Sequence, residues 1–225
     1  MNNKKPQLIM LMGFITSGKD TQAKILNERK GFSRIRTSKI IRKKFITYPD
    51  NPDVILAKKQ YYKGDLIEPK IVAEWVLDAT NEKYKSGNSI VFSGSPRTLY
   101  EAKNELPEFI KLYGKENIKL FFIDITEEEA RKRTNERLVC DKCMEVIRPD
   151  KYPDAKIEDE CPTNGCKGKI IKRTLDDSEI FEVRLKEYYN RTYPVIEYLK
   201  NKVKFYKVNG MNDIESIHKE ISKNL

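Results

Sequence analysis

Apolar positions along the chain fall into short continuous runs, separated by longer segments in which they recur with helical spacing. Leu8 to Met12 is an unbroken apolar run closed by Gly13, the pattern of a short strand covered on both faces. Asp20 to about Arg29 predicts a helix stopped by Gly31, and Phe32 to Arg36 predicts a second strand. The alternation continues with a helix from Lys70 to Tyr84 opened by Pro69, a strand at Ser89 to Phe92, a helix from Leu99 to Tyr113 kinked near Pro107, and a strand at Lys119 to Ile125. Thr126 and Glu129 have the spacing of a capping box, which predicts a helix to about Arg137. A helix from about Ser178 to Asn190, another after Pro194, a strand at Lys204 to Val208 and a helix from Asp213 complete the series. Strands alternating with helices predict an α/β fold with a doubly wound parallel sheet, whose ligands sit at the carboxyl ends of the strands.

Two stretches break the alternation and read as insertions. The first is basic and helix-like from Ser38 to about Glu68, interrupted at Pro49 to Pro52, and is taken to span residues 38–78. The second, residues 138–175, is rich in Cys, Pro, Gly and Lys. The core is then residues 1–37, 79–137 and 176–225 of a single 225-residue unit.

Composition narrows the chemistry. Lysine and arginine number 44 against 34 acidic residues, a net charge of +10 that favours polyanionic partners without choosing among nucleotides, nucleic acid and acidic membranes. The apolar runs are too short for a membrane span or a secretory segment, so no membrane partner is expected. The one histidine, His218, reads as a solvated surface residue, which excludes mechanisms built on histidine bases or histidine metal clusters. All four cysteines fall between Cys140 and Cys166. Without an export signal this argues for metal binding by reduced thiols in the cytoplasm, not for disulfides.

Gly13-Phe-Ile-Thr-Ser-Gly18-Lys19 matches G-x-x-x-x-G-K and lies between a predicted strand and a predicted helix. In that setting loop and helix N–H groups cradle phosphate, and Lys19 follows the transferred γ-phosphoryl group. Asp20 stands where the pattern has Ser or Thr, with Thr21 one place later. A carboxylate beside a triphosphate repels it, so Asp20 is expected either to point away or to hold magnesium. Gly94-Ser-Pro-Arg97-Thr follows the predicted strand at Ser89 to Phe92, where Arg97 can clamp a second phosphate bidentately.

Taken with Thr37 and Arg42 after the second strand and Thr-Asn-Glu-Arg137-Leu before the cysteines, these motifs resemble the adenylate kinase family of nucleoside monophosphate kinases, from Gly13 to the Lys207-Val-Asn-Gly210 stretch. The resemblance implies a P-loop sheet, a helical insertion binding the monophosphate and a small zinc-bearing lid. It implies ATP contacts from Gly13, Thr16, Ser17, Gly18, Lys19, Asp20, Thr21 and Arg137, and monophosphate contacts from Thr37, Arg42, Ile67, Gly94, Arg97 and Glu101. It assigns catalysis to Lys19, Arg97, Arg137, Arg173 and Arg184, with acidic Asp176 nearby. Cys140-x-x-Cys143 and Cys161-x4-Cys166 resemble the family's zinc site. The implied cofactors are magnesium with ATP and a structural zinc; the implied partners are ATP and a monophosphate, with no nucleic acid and a monomeric chain.

The chain departs from the family pattern at several places. Thr16 replaces the third loop glycine, D-G-F-P-R reads Ser93-Gly94-Ser95-Pro96-Arg97, T-G-D reads Thr37-Ser38-Lys39, a second lid arginine is Asp141, and the glutamine that reads adenine is Glu101. The expectation is transfer of the γ-phosphoryl group of ATP to AMP, with GMP, CMP or a deoxynucleotide as alternative acceptor. A non-catalytic, nucleotide-gated RNA binder with a zinc ribbon is the alternative of a different class.

Overall fold

The computed structural model describes residues 5–225; residues 1–4, counted above with the core, lie outside the described residues. From β1 (Leu8–Gly13) the chain passes through α1 (Lys19–Lys30) to β2 (Ser33–Arg36), then through α2 (Thr37–Thr47), α3 (Pro52–Lys63) and α4 (Pro69–Lys85) to β3 (Ile90–Ser93). It continues through α5 (Leu99–Tyr113), β4 (Ile118–Asp124), α6 (Glu127–Glu136) and three short strands, β5 (Leu138–Cys140), β6 (Val146–Ile147) and β7 (Ile170–Lys172). Helices α7 (Ser178–Glu187) and α8 (Tyr193–Leu199) lead to β8 (Lys204–Asn209) and α9 (Ile214–Lys223).

The main sheet is parallel throughout, in the order β2-β3-β1-β4-β8. The period of two along β1 divides the core. Leu8, Met10 and Met12 pack with Val76 of α4, Phe109 of α5 and Ile196 of α8. Ile9 and Leu11 pack with Leu26 of α1 and Ile217 and Ile221 of α9. Both faces of β1 are therefore covered, which is why its run is apolar without alternation. Each such side chain contributes about 1.5–3 kcal/mol of burial.

In the sheet register Leu11 lies beside Ser93 and Gly13 beside Ile123. The loops leaving β1 and β3 thus start side by side at the carboxyl edge and open a crevice there. The small sheet, β6-β5-β7, is antiparallel and carries Cys140 at the end of its central strand.

Some expectations are corrected. Helix α7 ends at Glu187, not Asn190, because the chain widens into a π-helical turn at Tyr188–Thr192. Residue 78, the expected end of the first insertion, falls inside α4, which packs along α5. Thr126 caps α6 by accepting from the Glu129 N–H at 3.2 Å, but the Glu129 carboxylate turns to Arg133 at 2.7 Å instead of closing the box. His218 is not solvated. It is buried on α9 one residue after Ile217, its Nε2 3.1 Å from Ser222 Oγ, because the amphipathic face that covers α1 includes it.

Candidate active site

The phosphate loop joins β1 to α1. Gly13 has φ +146°, and a Cβ there would stand 2.2 Å from the Ile123 carbonyl oxygen, so the loop needs glycine where it leaves the sheet. Thr16 takes the left-handed conformation (φ 59°), which costs a non-glycine residue roughly 1–2 kcal/mol. Its hydroxyl lies 2.6 Å from the Ile15 carbonyl and 3.0 Å from that of Ala130, tying the loop to α6. The missing third glycine is thus accommodated with its geometry kept. Lys19 Nζ donates to Gly13 O at 2.9 Å, to Ser17 Oγ at 3.1 Å and to Phe14 O.

Lys19 shares one cavity with Arg97, Arg137, Arg173 and Arg184. These residues come from the phosphate loop, the loop after β3, both ends of the small-sheet segment and α7, so the fold collects cations that lie far apart in sequence. Arg137 donates from Nε to Asp176 Oδ2 at 2.8 Å and from its second nitrogen to Oδ1, a fork matched to the carboxylate. Arg184 donates to the same Oδ1 at 3.2 Å and to the Leu175 carbonyl at 2.8 Å. Arg173 donates to Tyr61 Oη of α3 at 2.9 Å, and Arg97 Nε to Gly94 O at 2.6 Å. Gly94 has φ +109°, and a Cβ there would meet an Arg97 nitrogen at 2.9 Å.

The crowding of like charges is legible in the titration of these groups. Burial first, then Arg97, brings Lys19 down to about 7. Burial first, then Arg137 and Arg173, brings Arg184 down to about 9. Burial also lowers Arg97. A site in which burial and neighbouring cations lower Lys19, Arg97 and Arg184 is matched to a polyanion.

Across the cavity stand Thr37, Ile67, Gly94 and Glu101. Thr37 is buried and its Oγ1 has no partner, a polar atom that a ligand can satisfy. Glu101 is buried, not a solvated helix residue: its Oε2 accepts from the Arg97 N–H at 2.9 Å and lies 3.2 Å from Ser95 Oγ, while Oε1 accepts from Thr98 Oγ1 at 3.0 Å. Arg42 does not line this cavity. Its guanidinium is drawn to the lid, donating to the Asp141 carbonyl at 3.2 Å and to Met144 Sδ. Ser17, Gly18 and Thr21 also stand off the cavity wall: Ser17 and Gly18 shape the loop, and Thr21 faces a second hollow between α1 and the lid.

The four cysteines converge, with Sγ atoms within 4.8 Å of one another. Cys140 and Cys166 are 3.6 Å apart and Cys143 and Cys161 3.7 Å. A tetrahedral shell with metal–sulfur bonds of about 2.3 Å has edges of about 3.8 Å, so the cluster has the size and donor type of a metal centre.

The adenylate kinase family model matches residues 11–204. The adenylate kinase of Thermosipho africanus is 30% identical over 216 residues, covering 95% of this chain and 96% of that protein. That of Clostridium tetani is 31% identical with the same coverage, and that of Mycoplasma mycoides is 32% identical over 89% of this chain and 90% of its own. The chain belongs to the adenylate kinase family. It is a nucleoside monophosphate kinase, a family whose activity uses ATP with magnesium and a nucleoside monophosphate. No helix among the described residues is long and apolar enough to cross a membrane.

In this kinase the small sheet is docked on the core by contacts that sequence reasoning missed. Glu145, just before β6, takes Arg34 at 3.0 Å and also Arg36, both from β2, with Lys24 of α1 at 3.9 Å. Single charges in so charged a chain carry no motif. Tyr61, the partner of Arg173, was hidden in the same way inside a helical pattern.

Proposed function

We propose that this kinase transfers the γ-phosphoryl group of ATP to AMP, giving two ADP. One observation carries the reading: Lys19, Arg97, Arg137, Arg173 and Arg184 line a single cavity at the carboxyl edge of the sheet. Phosphoryl transfer spreads negative charge over the moving oxygens, and fixed cations stabilise it without a general base. Lys19 and the loop amides bind the ATP phosphates; Arg97 holds the monophosphate; Arg137, Arg173 and Arg184 meet the group in transit. Bound magnesium neutralises charge on the ATP phosphates. A nucleotide-gated RNA binder would have no need to gather these cations in one crevice.

Thr37 and Ile67 contact the monophosphate nucleoside, with the unpartnered Thr37 hydroxyl supporting that assignment. Arg42, held by the lid backbone, joins the site by releasing Asp141 and Met144. Glu101, whose oxygens already accept from the Arg97 N–H and Thr98 Oγ1, has only acceptor lone pairs left where a glutamine would also donate, so these suit the amino group of adenine and equally the N1–H and N2–H edge of guanine. AMP is therefore used with weaker discrimination against GMP and CMP than a glutamine would give, by roughly ten- to a hundredfold. The cysteine cluster holds a structural zinc, which orders a segment with few apolar residues. A coupled assay offering ATP with each monophosphate in turn tests the reading: AMP is expected to give the highest kcat/KM, and Glu101→Gln to raise it relative to GMP and CMP. Unchanged ratios would remove Glu101 from base choice.

A further inference from the structure

In phosphate-loop enzymes generally, the residue after the loop lysine presents a hydroxyl to magnesium, and a carboxylate at a neighbouring strand end completes the ion's surroundings. Here the residue after Lys19 is Asp20, and the residue at the end of β3, the strand beside β1, is Ser93. The two side chains touch: Ser93 Oγ donates to Asp20 Oδ1 at 2.6 Å across 73 residues of sequence. We infer that carboxylate and hydroxyl have exchanged places in this chain, and that Asp20, oriented by Ser93, holds the magnesium that accompanies ATP.

Several observations converge on the exchange. Ser93 is buried, whereas Asp20 is exposed to the cavity and within reach of a hydrated ion. Ser93 occupies one oxygen of Asp20, and no hydrogen bond or ion pair involves Oδ2 among the described residues. Desolvation within the cleft raises the Asp20 carboxyl, but the Ser93 hydrogen bond, then Arg36 and Lys19, outweigh it and keep it below the usual carboxylate range, so it is ionised. An ionised carboxylate beside the phosphate loop repels ATP unless a cation stands between them. Two other carboxylates of the cavity are engaged elsewhere, Glu101 with Arg97 and Thr98 and Glu187 with Arg191 and the Leu66 N–H; the third, Asp65, lies on the loop after α3.

The inference rests on the kinase reading, and its test separates the two. The probe is Mn2+, titrated by electron paramagnetic resonance into the full chain saturated with the non-hydrolysable β,γ-imido analogue of ATP. Asp20→Ser is expected to weaken Mn2+ binding by roughly 10- to 100-fold. In EDTA the same variant is expected to bind the analogue more tightly than wild type, because the repulsion is gone. Asp20→Ser combined with Ser93→Asp is expected to recover the Mn2+ affinity by restoring the ordinary arrangement. Asp20→Asn, which keeps the size of the side chain, serves as the second variant if Asp20→Ser loses its circular dichroism spectrum. Unchanged Mn2+ affinity in a folded Asp20 variant that still binds the analogue overturns the exchange and leaves the kinase standing. Failure of the analogue to bind wild-type protein overturns the phosphate-loop reading, and the exchange with it.

Discussion

Arg137 and Asp176, at the two ends of the segment that carries the cysteines, are joined by a two-pronged ion pair. The Asp176 side chain is fully buried and also takes Arg184. One carboxylate therefore fixes two of the cavity's cations and joins the two ends of the small-sheet segment. Asp176→Asn is expected to lower stability by about 3 kcal/mol, because two largely buried guanidinium groups lose their anion. Added ATP is expected to restore part of the loss, since its phosphates supply negative charge. Thermal melts with and without ATP check this, and a variant that melts like wild type without nucleotide would refute it.

Lys19→Ala and Arg97→Ala are each expected to reduce kcat by about 10³–10⁵ with circular dichroism unchanged. Neither should lower the melting temperature of the nucleotide-free protein, because each removes one member of a mutually repelling set. Both should lose the stabilisation that ATP gives to wild type. Near-normal turnover in both variants would contradict the assigned roles.

One zinc per chain is expected in protein purified without added metal, bound by Cys140, Cys143, Cys161 and Cys166. Cys143→Ser should lower the melting temperature and expose residues 138–175 to protease, since a metal bound only by the folded form adds its binding energy to folding. Absence of stoichiometric zinc or iron, with four freely titrating thiols, would sink the assignment.

Ser95 Oγ stands 3.2 Å from both Glu101 Oε2 and Glu105 Oε1, and its one hydrogen can serve only one of them at a time. Burial first, then Glu101, pushes the Glu105 carboxyl well above the usual range. The folded chain then holds a proton that the unfolded chain releases. Glu105 therefore favours folding below the ordinary carboxylate range, and that contribution is lost as pH rises toward its folded pKa. Glu105→Gln removes the linkage, so its melting temperature relative to wild type should rise from about pH 5 to about pH 8. A constant difference across that range would show that Glu105 is ionised throughout.

Much of the fold was legible in the sequence because β1 is apolar at every position and glycines mark the loop after it. The capping threonine at Thr126 was an equally local signal. What escaped depends on partners distant in the chain. His218 lies in a segment rich in polar residues, and only the docking of α9 on α1 buries it. Arg42 and Arg97 look alike as sequence, yet the lid backbone claims the first and Gly94 the second. Asp20 and Ser93 read in sequence as a carboxylate gained and one lost, and the hydrogen bond that joins them is visible only in the fold.

The central claim is phosphoryl transfer between two nucleotides in one cationic cavity. Its most direct test is the stoichiometry of a mixture of ATP, AMP and magnesium with the purified chain, followed by phosphorus NMR. The account predicts two ADP for each ATP consumed, equal loss of AMP, the reverse reaction from ADP alone, and collapse of both in Arg97→Ala. Loss of ATP without loss of AMP or any other monophosphate, or no reaction with any of them, would contradict it.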